Sequence, residues 1–152
     1  MAVNNRGRKI GEALVNGYKD GKSCPKPVTD VKLNTKNRNI AIKKYDYGPM
    51  NPDAPNEDFW QGVADLWGIT PEQAKTSRCG NCAAFVQTPK MMQCMRDHIG
   101  LDEDYPEEGA EHMANNRART LEAADLGYCQ LFGFKCAADR TCRAWISGGP
   151  IK

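Results

Sequence analysis

The sequence has few of the residues that most catalytic sites use. Only two histidines, His98 and His112, occur in 152 residues. Neither belongs to a His-x-x-x-His or Glu-x-x-His pattern, and such a pattern would be needed to predict a metal or acid–base site. The acidic run from Asp102 to Glu108 lacks the order of calcium ligands. No glycine-rich phosphate loop and no nucleophile elbow is present, so the sequence predicts a protein that is not an enzyme.

Long apolar runs and a strong net charge are also missing. No segment approaches the roughly 18 apolar residues of a membrane-spanning helix, so no membrane association is expected. The 21 basic and 19 acidic side chains give a net charge of +2, which is too small to predict nucleic acid as a partner. The basic N-terminus lacks the apolar stretch of an export signal, and we therefore expect synthesis in a reducing cytoplasm.

Residues 1–56 differ in composition from the rest of the chain. Their apolar residues do not recur at helical spacing, and one short strand is predicted over Ile40, Ile42 and Tyr45. Five prolines interrupt the segment at Pro25, Pro27, Pro49, Pro52 and Pro55. Such a segment cannot bury enough apolar surface to offset its ordering entropy. It is predicted to be an extended polar arm that becomes ordered only on a partner.

Residues 57–152 carry regular helical signals. Asn56 is a predicted N-cap, apolar residues follow at helical spacing, and Gly68 ends this helix. Thr70 and Gln73 form a capping box for a second helix. A third helix is predicted from Thr88–Pro89, and a fourth over residues 110–119. Loops, turns or short strands follow over residues 126–145, which predicts a small, irregular fold of helices and loops.

Seven cysteines are the most informative feature of the chain. In a reducing compartment, an odd number of cysteines favours metal ligation over a disulfide framework. Cys79 and Cys82 can turn toward one ion, because Gly80 permits the tight curl between them. Cys129 and Cys142 can complete a set of four thiolates. The residue types leave three alternatives open, which are a zinc site, a disulfide scaffold and a [4Fe–4S] cluster.

These cysteines and their neighbours resemble high-potential iron–sulfur proteins. The family has a Cys-x-x-Cys-x-x-Phe start, then Cys-Gln-Leu-Phe, and then a final cysteine followed three residues later by tryptophan. This chain has Cys79-Gly-Asn-Cys82-Ala-Ala-Phe85, Cys129-Gln-Leu-Phe132 and Cys142-Arg-Ala-Trp145. The resemblance implies that Cys79, Cys82, Cys129 and Cys142 bind a [4Fe–4S] cluster, with zinc as the alternative. It also implies that Phe85, Phe132 and Trp145 keep water away from the cluster, and that the chain is a soluble one-electron carrier.

The remaining cysteines have open roles at this point. Cys94 and Cys136 are interpreted as spare thiols, alternative ligands, a pair, or small buried hydrophobic residues. Cys24, in the predicted arm, is interpreted as an incidental thiol.

The chain as a whole is also similar to small proteins encoded by tailed bacteriophages. The similarity lies in the polar arm, the short tryptophan-bearing helix, the stretch from Arg78 to Phe85 and the closing Gly-Gly-Pro-Ile. It implies a structural protein of the virion, in the tail or the head, made in the host cytoplasm. The cluster would then staple a C-terminal domain of residues 57–152. The arm would bind other virion proteins, and the chain would be an oligomer within that assembly.

Overall fold

The computed structural model describes residues 23–48, 55–98, 119 and 121–152. Within these ranges the chain combines helices with a small three-stranded sheet. The helices are α1 (Lys26–Thr29), α2 (Val31–Tyr45), α3 (Glu57–Trp67), α4 (Pro71–Lys75) and α5 (Pro89–His98), with a 3₁₀ turn over Cys79–Asn81. Residues 121–124 are also helical. The strands are β1 (Phe85–Val86), β2 (Leu126–Cys129) and β3 (Phe134–Ala137). The predicted acidic run lies outside the described residues, as does the predicted fourth helix except at residue 119.

Local signals in the sequence correctly predicted three of the helices. Helix α3 ends at Gly68, whose φ of 67° is the left-handed conformation that glycine adopts without strain. Helix α4 has the predicted capping box, in which the Gln73 amide donates to Thr70 Oγ1 over 3.2 Å. Helix α5 begins at Pro89, directly after Thr88, whose hydroxyl accepts from the Met91 amide. Each of these ends depends on residues that are neighbours in the chain.

The strand predicted over Ile40, Ile42 and Tyr45 is wrong, because these residues belong to helix α2. Asp30 caps this helix by accepting a hydrogen bond from the Leu33 amide. Two asparagine side chains of the helix bond to β3 and to the turn before it. Asn37 Nδ2 donates to the Gly133 carbonyl over 2.7 Å, and the Lys135 amide donates to Asn34 Oδ1 over 2.8 Å. Amide side chains bind this helix to the sheet. The pattern of apolar residues therefore could not predict the helix.

The described part of the predicted arm is packed against the rest of the chain. Cys24 forms a disulfide with Cys94 of α5, so interpreting Cys24 as an incidental thiol was wrong. Ala41 and Tyr47 are buried in the same core as α3. An extended conformation is therefore wrong for residues 26–45, while residues 1–22 and 49–54 lie outside the described part of the chain.

The sheet separates two apolar cores. Its strands are antiparallel in the order β1-β2-β3, and Cys129 pairs with Phe85 on one side and Phe134 on the other. Because side chains alternate along a strand, these three share a face with Cys136, which pairs with Gly127. The opposite face carries two buried residues of the second core, Val86 and Tyr128. That core also contains Val28, Met91, Cys94, Met95 and Leu121.

Candidate metal centre

The four predicted ligands converge on one cavity in the first core. Cys79, Cys82, Cys129 and Cys142 all line it, and Cys136 is a fifth thiol in its wall. All five are free cysteines. The free volume of the cavity is about 20 Å³, which is room for about one water molecule. A cluster is larger than one water molecule, so binding one would require the lining side chains to move.

The Cys79–Cys82 turn is held in place by the loop after β3. The Cys79 amide donates to the Arg140 carbonyl over 2.6 Å, and the Gly80 amide donates to the Ala138 carbonyl over 2.8 Å. The approach is close, since a Cβ at position 80 would lie 3.0 Å from Ala138 Cβ and would force a small shift. The turn closes with the Cys82 amide donating to the Cys79 carbonyl. Two segments that are distant in sequence therefore place these thiols together.

Backbone amides are directed at three of the predicted ligand sulfurs. The Ala84 amide lies 3.5 Å from Cys82 Sγ. The backbone amides of Leu131 and Phe132 donate to the Cys129 sulfur, and the Ala144 amide donates to the Cys142 sulfur. Amide donors stabilise the negative charge that thiolates and cluster sulfides carry.

Burial and the neighbouring thiols shift the pKa values of the cavity cysteines. Burial raises the pKa of Cys82 to about 12. Burial, together with the neighbouring thiols of Cys79, Cys129 and Cys82, holds the pKa of Cys142 well above its ordinary value. A hydrogen bond from Cys136 instead lowers the pKa of Cys129. Since metals bind thiolates, loading this site would release protons.

Aromatic side chains form much of the cavity wall. The three predicted ones, Phe85, Phe132 and Trp145, all line it. Trp145 is fixed by its indole N–H, which lies 2.9 Å from both the Arg78 carbonyl and Asn81 Oδ1. Phe85 and Trp145 are buried and Phe132 is half-buried. The wall is therefore suited to excluding water from whatever the thiols bind.

Sequence reasoning did not assign Tyr47 and Phe134 to this site, and it left the role of Cys136 open. Phe134 and Cys136 alternate with Lys135 in the sequence, and this period of two could have placed them on one face of a strand. Tyr47 gave no such signal. It lies in the cavity wall because the Tyr47 amide bonds to the Ala41 carbonyl at the end of α2. Its ring then packs edge-on against Phe134, with the ring centroids 4.8 Å apart.

The cavity thiols are close together but are not in the arrangement that holds a metal ion. The same is true of every group of three or more His, Cys, Asp or Glu side chains in the ranges above. In those same ranges, every helix is too short or too polar to cross a membrane. Comparison of the sequence and the structure with family models, curated proteins and solved structures gave no match.

Proposed function

We propose that the chain binds one [4Fe–4S] cluster through Cys79, Cys82, Cys129 and Cys142 and transfers single electrons. The observation that carries this proposal is the meeting of these four thiols in one cavity. Their residues come from a turn, a strand and a loop that are up to 63 positions apart in sequence. The remaining lining residues, apart from Cys136, are aromatic or aliphatic. A thiolate set with an apolar, aromatic wall is the environment that such clusters require.

Backbone amides and aromatic rings favour a cluster over zinc at this position. Amides directed at thiolate sulfur offset the charge of a cluster and help to set its potential. A bound cluster would supply one-electron chemistry, whereas zinc has no redox chemistry. Three of the four thiols belong to half-buried residues, Cys79, Cys129 and Cys142. Because these residues are partly exposed, a redox partner could approach the site.

The packing of residues 23–48 favours an electron carrier over a structural protein of a phage virion. The virion hypothesis depended on an extended arm that becomes ordered on neighbouring subunits. Helix α2 instead packs against β3, and Tyr47 is part of the cavity wall. The Tyr45 ring also stacks on Phe132 with a centroid separation of 4.6 Å. This segment therefore has a function within its own chain, and the virion role stays a prediction.

The test is metal analysis of the full chain purified without oxygen. We expect a brown protein with about four irons and four sulfides per chain and a broad absorption band at about 400 nm. Cys142→Ala should lose the iron. The Cys24→Ser/Cys94→Ser protein, which loses two cysteines outside the cavity, should keep it. The bound cluster should also undergo one reversible one-electron step in voltammetry. Colourless protein with about one zinc per chain would contradict the proposal.

A further inference from the structure

Cys136 is a fifth thiol in a cavity where a four-iron cluster needs four. It lies on β3 and only 2% of its surface is exposed. Cys129 lies on β2 and pairs with Phe134, two residues before Cys136. In an antiparallel pair, a residue and the diagonal neighbour two positions along the partner strand point to the same face. The two thiols therefore project side by side toward the cavity.

Both thiols also line the same cavity, as does Cys79. Cys142 reaches the cavity from the loop after β3 and not from the sheet. Cys129 thus has, on the adjacent strand, a neighbouring thiol outside the ligand set.

We propose that Cys136 is a reserve ligand that can occupy the cluster corner held by Cys129. This inference rests on the proposed function. If the Cys129 thiol is absent, Cys136 loses its proton to solvent and its sulfur forms the iron–sulfur bond at that corner. Iron keeps its oxidation state in this exchange.

Single and double cysteine variants of the full chain test the proposal. Iron and sulfide are measured per folded chain after anaerobic purification, and the paramagnetic cluster state is recorded by EPR. Cys136→Ala should keep the iron content of the wild type. Cys129→Ala should keep about half or more of that iron, with shifted g values in the EPR spectrum. In Cys129→Ala/Cys136→Ala the iron content should fall about tenfold. Cys142→Ala is the matched control and should lose iron as fully as the double variant does.

Two results with the alanine variants would overturn the proposal. One is a Cys129→Ala protein as poor in iron as Cys142→Ala. The other is an iron-free Cys136→Ala protein, because Cys136 would then be a required ligand. If far-UV circular dichroism shows that Cys129→Ala does not fold, Cys129→Ser is compared with Cys129→Ser/Cys136→Ala. Identical EPR spectra of these two would also overturn it. A wild-type chain without iron would refute the proposed function itself, before any variant is made.

Discussion

Gly127 offers the sharpest test of how the cavity wall is packed. It lies on β2 opposite Cys136, and Phe85 covers the position where a side chain would project. A Cβ at Gly127 would lie 2.8 Å from Phe85 Cε1 and closer still to Cζ. Phe85 is 1% exposed, so its ring is packed against neighbours on nearly all sides. Gly127→Ala should therefore displace the ring from the wall.

The expected cost follows from overpacking. Adding a methyl group to a filled core typically costs about 1–3 kcal/mol, and the overlap with a rigid ring places Gly127→Ala near the upper limit. Phe85→Leu should cost about 1–2 kcal/mol. Leucine lacks the outer ring atoms that meet the new methyl group. Gly127→Ala should therefore cost at most about 1 kcal/mol in the Phe85→Leu background, a coupling of about 2 kcal/mol.

The assay is urea unfolding of the four proteins of this cycle, followed by far-UV circular dichroism. Gly62→Ala is the matched control. Gly62 is in α3, and a Cβ there would make ordinary contact with Arg143 Nη2 at 3.7 Å. This control should gain about 0.5–1 kcal/mol, because alanine replaces glycine inside a helix. Additive costs in the cycle, without coupling, would refute the assigned contact between Gly127 and Phe85.

Three further predictions concern pH, the disulfide and the N-terminal segment. Burial raises the pKa of Cys82 from 9.0 to about 12, so the folded, cluster-free protein keeps a proton that the unfolded chain releases. Its free energy of unfolding, measured by urea titration, should therefore fall by about 1.4 kcal/mol between pH 7 and 10. Cys82→Ala should remove this part of the pH dependence. Cys24→Ser/Cys94→Ser opens a link across 70 positions and should lower the free energy of unfolding by up to about 4 kcal/mol, whereas an unchanged urea midpoint would contradict this. A chain that starts at Asn56 should lose its cooperative thermal transition, because it lacks the disulfide and buried Tyr47; a retained transition would restore the arm hypothesis.

The sequence could predict features that depend on short stretches of chain. Gly68 and the Thr70–Gln73 capping box end or begin helices through contacts within a few residues. Cys79 and Cys129 were expected to lie together because of the short motifs around them, although they are distant in sequence. Both line one cavity, while the cluster and the family stay predictions.

The features that sequence reasoning missed depend on pairings between distant segments. Cys24 carries no signal that selects Cys94 as its partner, and the pair forms because residues 24–28 lie against α5. Asn34 and Asn37 are polar residues that predict solvent exposure, yet they bind backbone groups of β3 and the turn before it. A helix attached in this way has no apolar stripe. Composition therefore predicted an arm where the structure has a packed helix.

The disulfide and the five free thiols together bear on the environment of the chain. Disulfides persist in oxidising surroundings and are rare in a reducing cytoplasm. The Cys24–Cys94 bond is thus typical of a chain that meets oxidising surroundings after synthesis, and synthesis in the cytoplasm stays a prediction. In oxidising surroundings, neighbouring thiols such as those of Cys129 and Cys136 would themselves be open to oxidation. The sheet keeps them on the face away from the disulfide. Ligation to iron, as proposed above, would remove the free thiolate that oxidation requires. That would give a physical reason why one chain can combine a disulfide with a group of reduced cysteines.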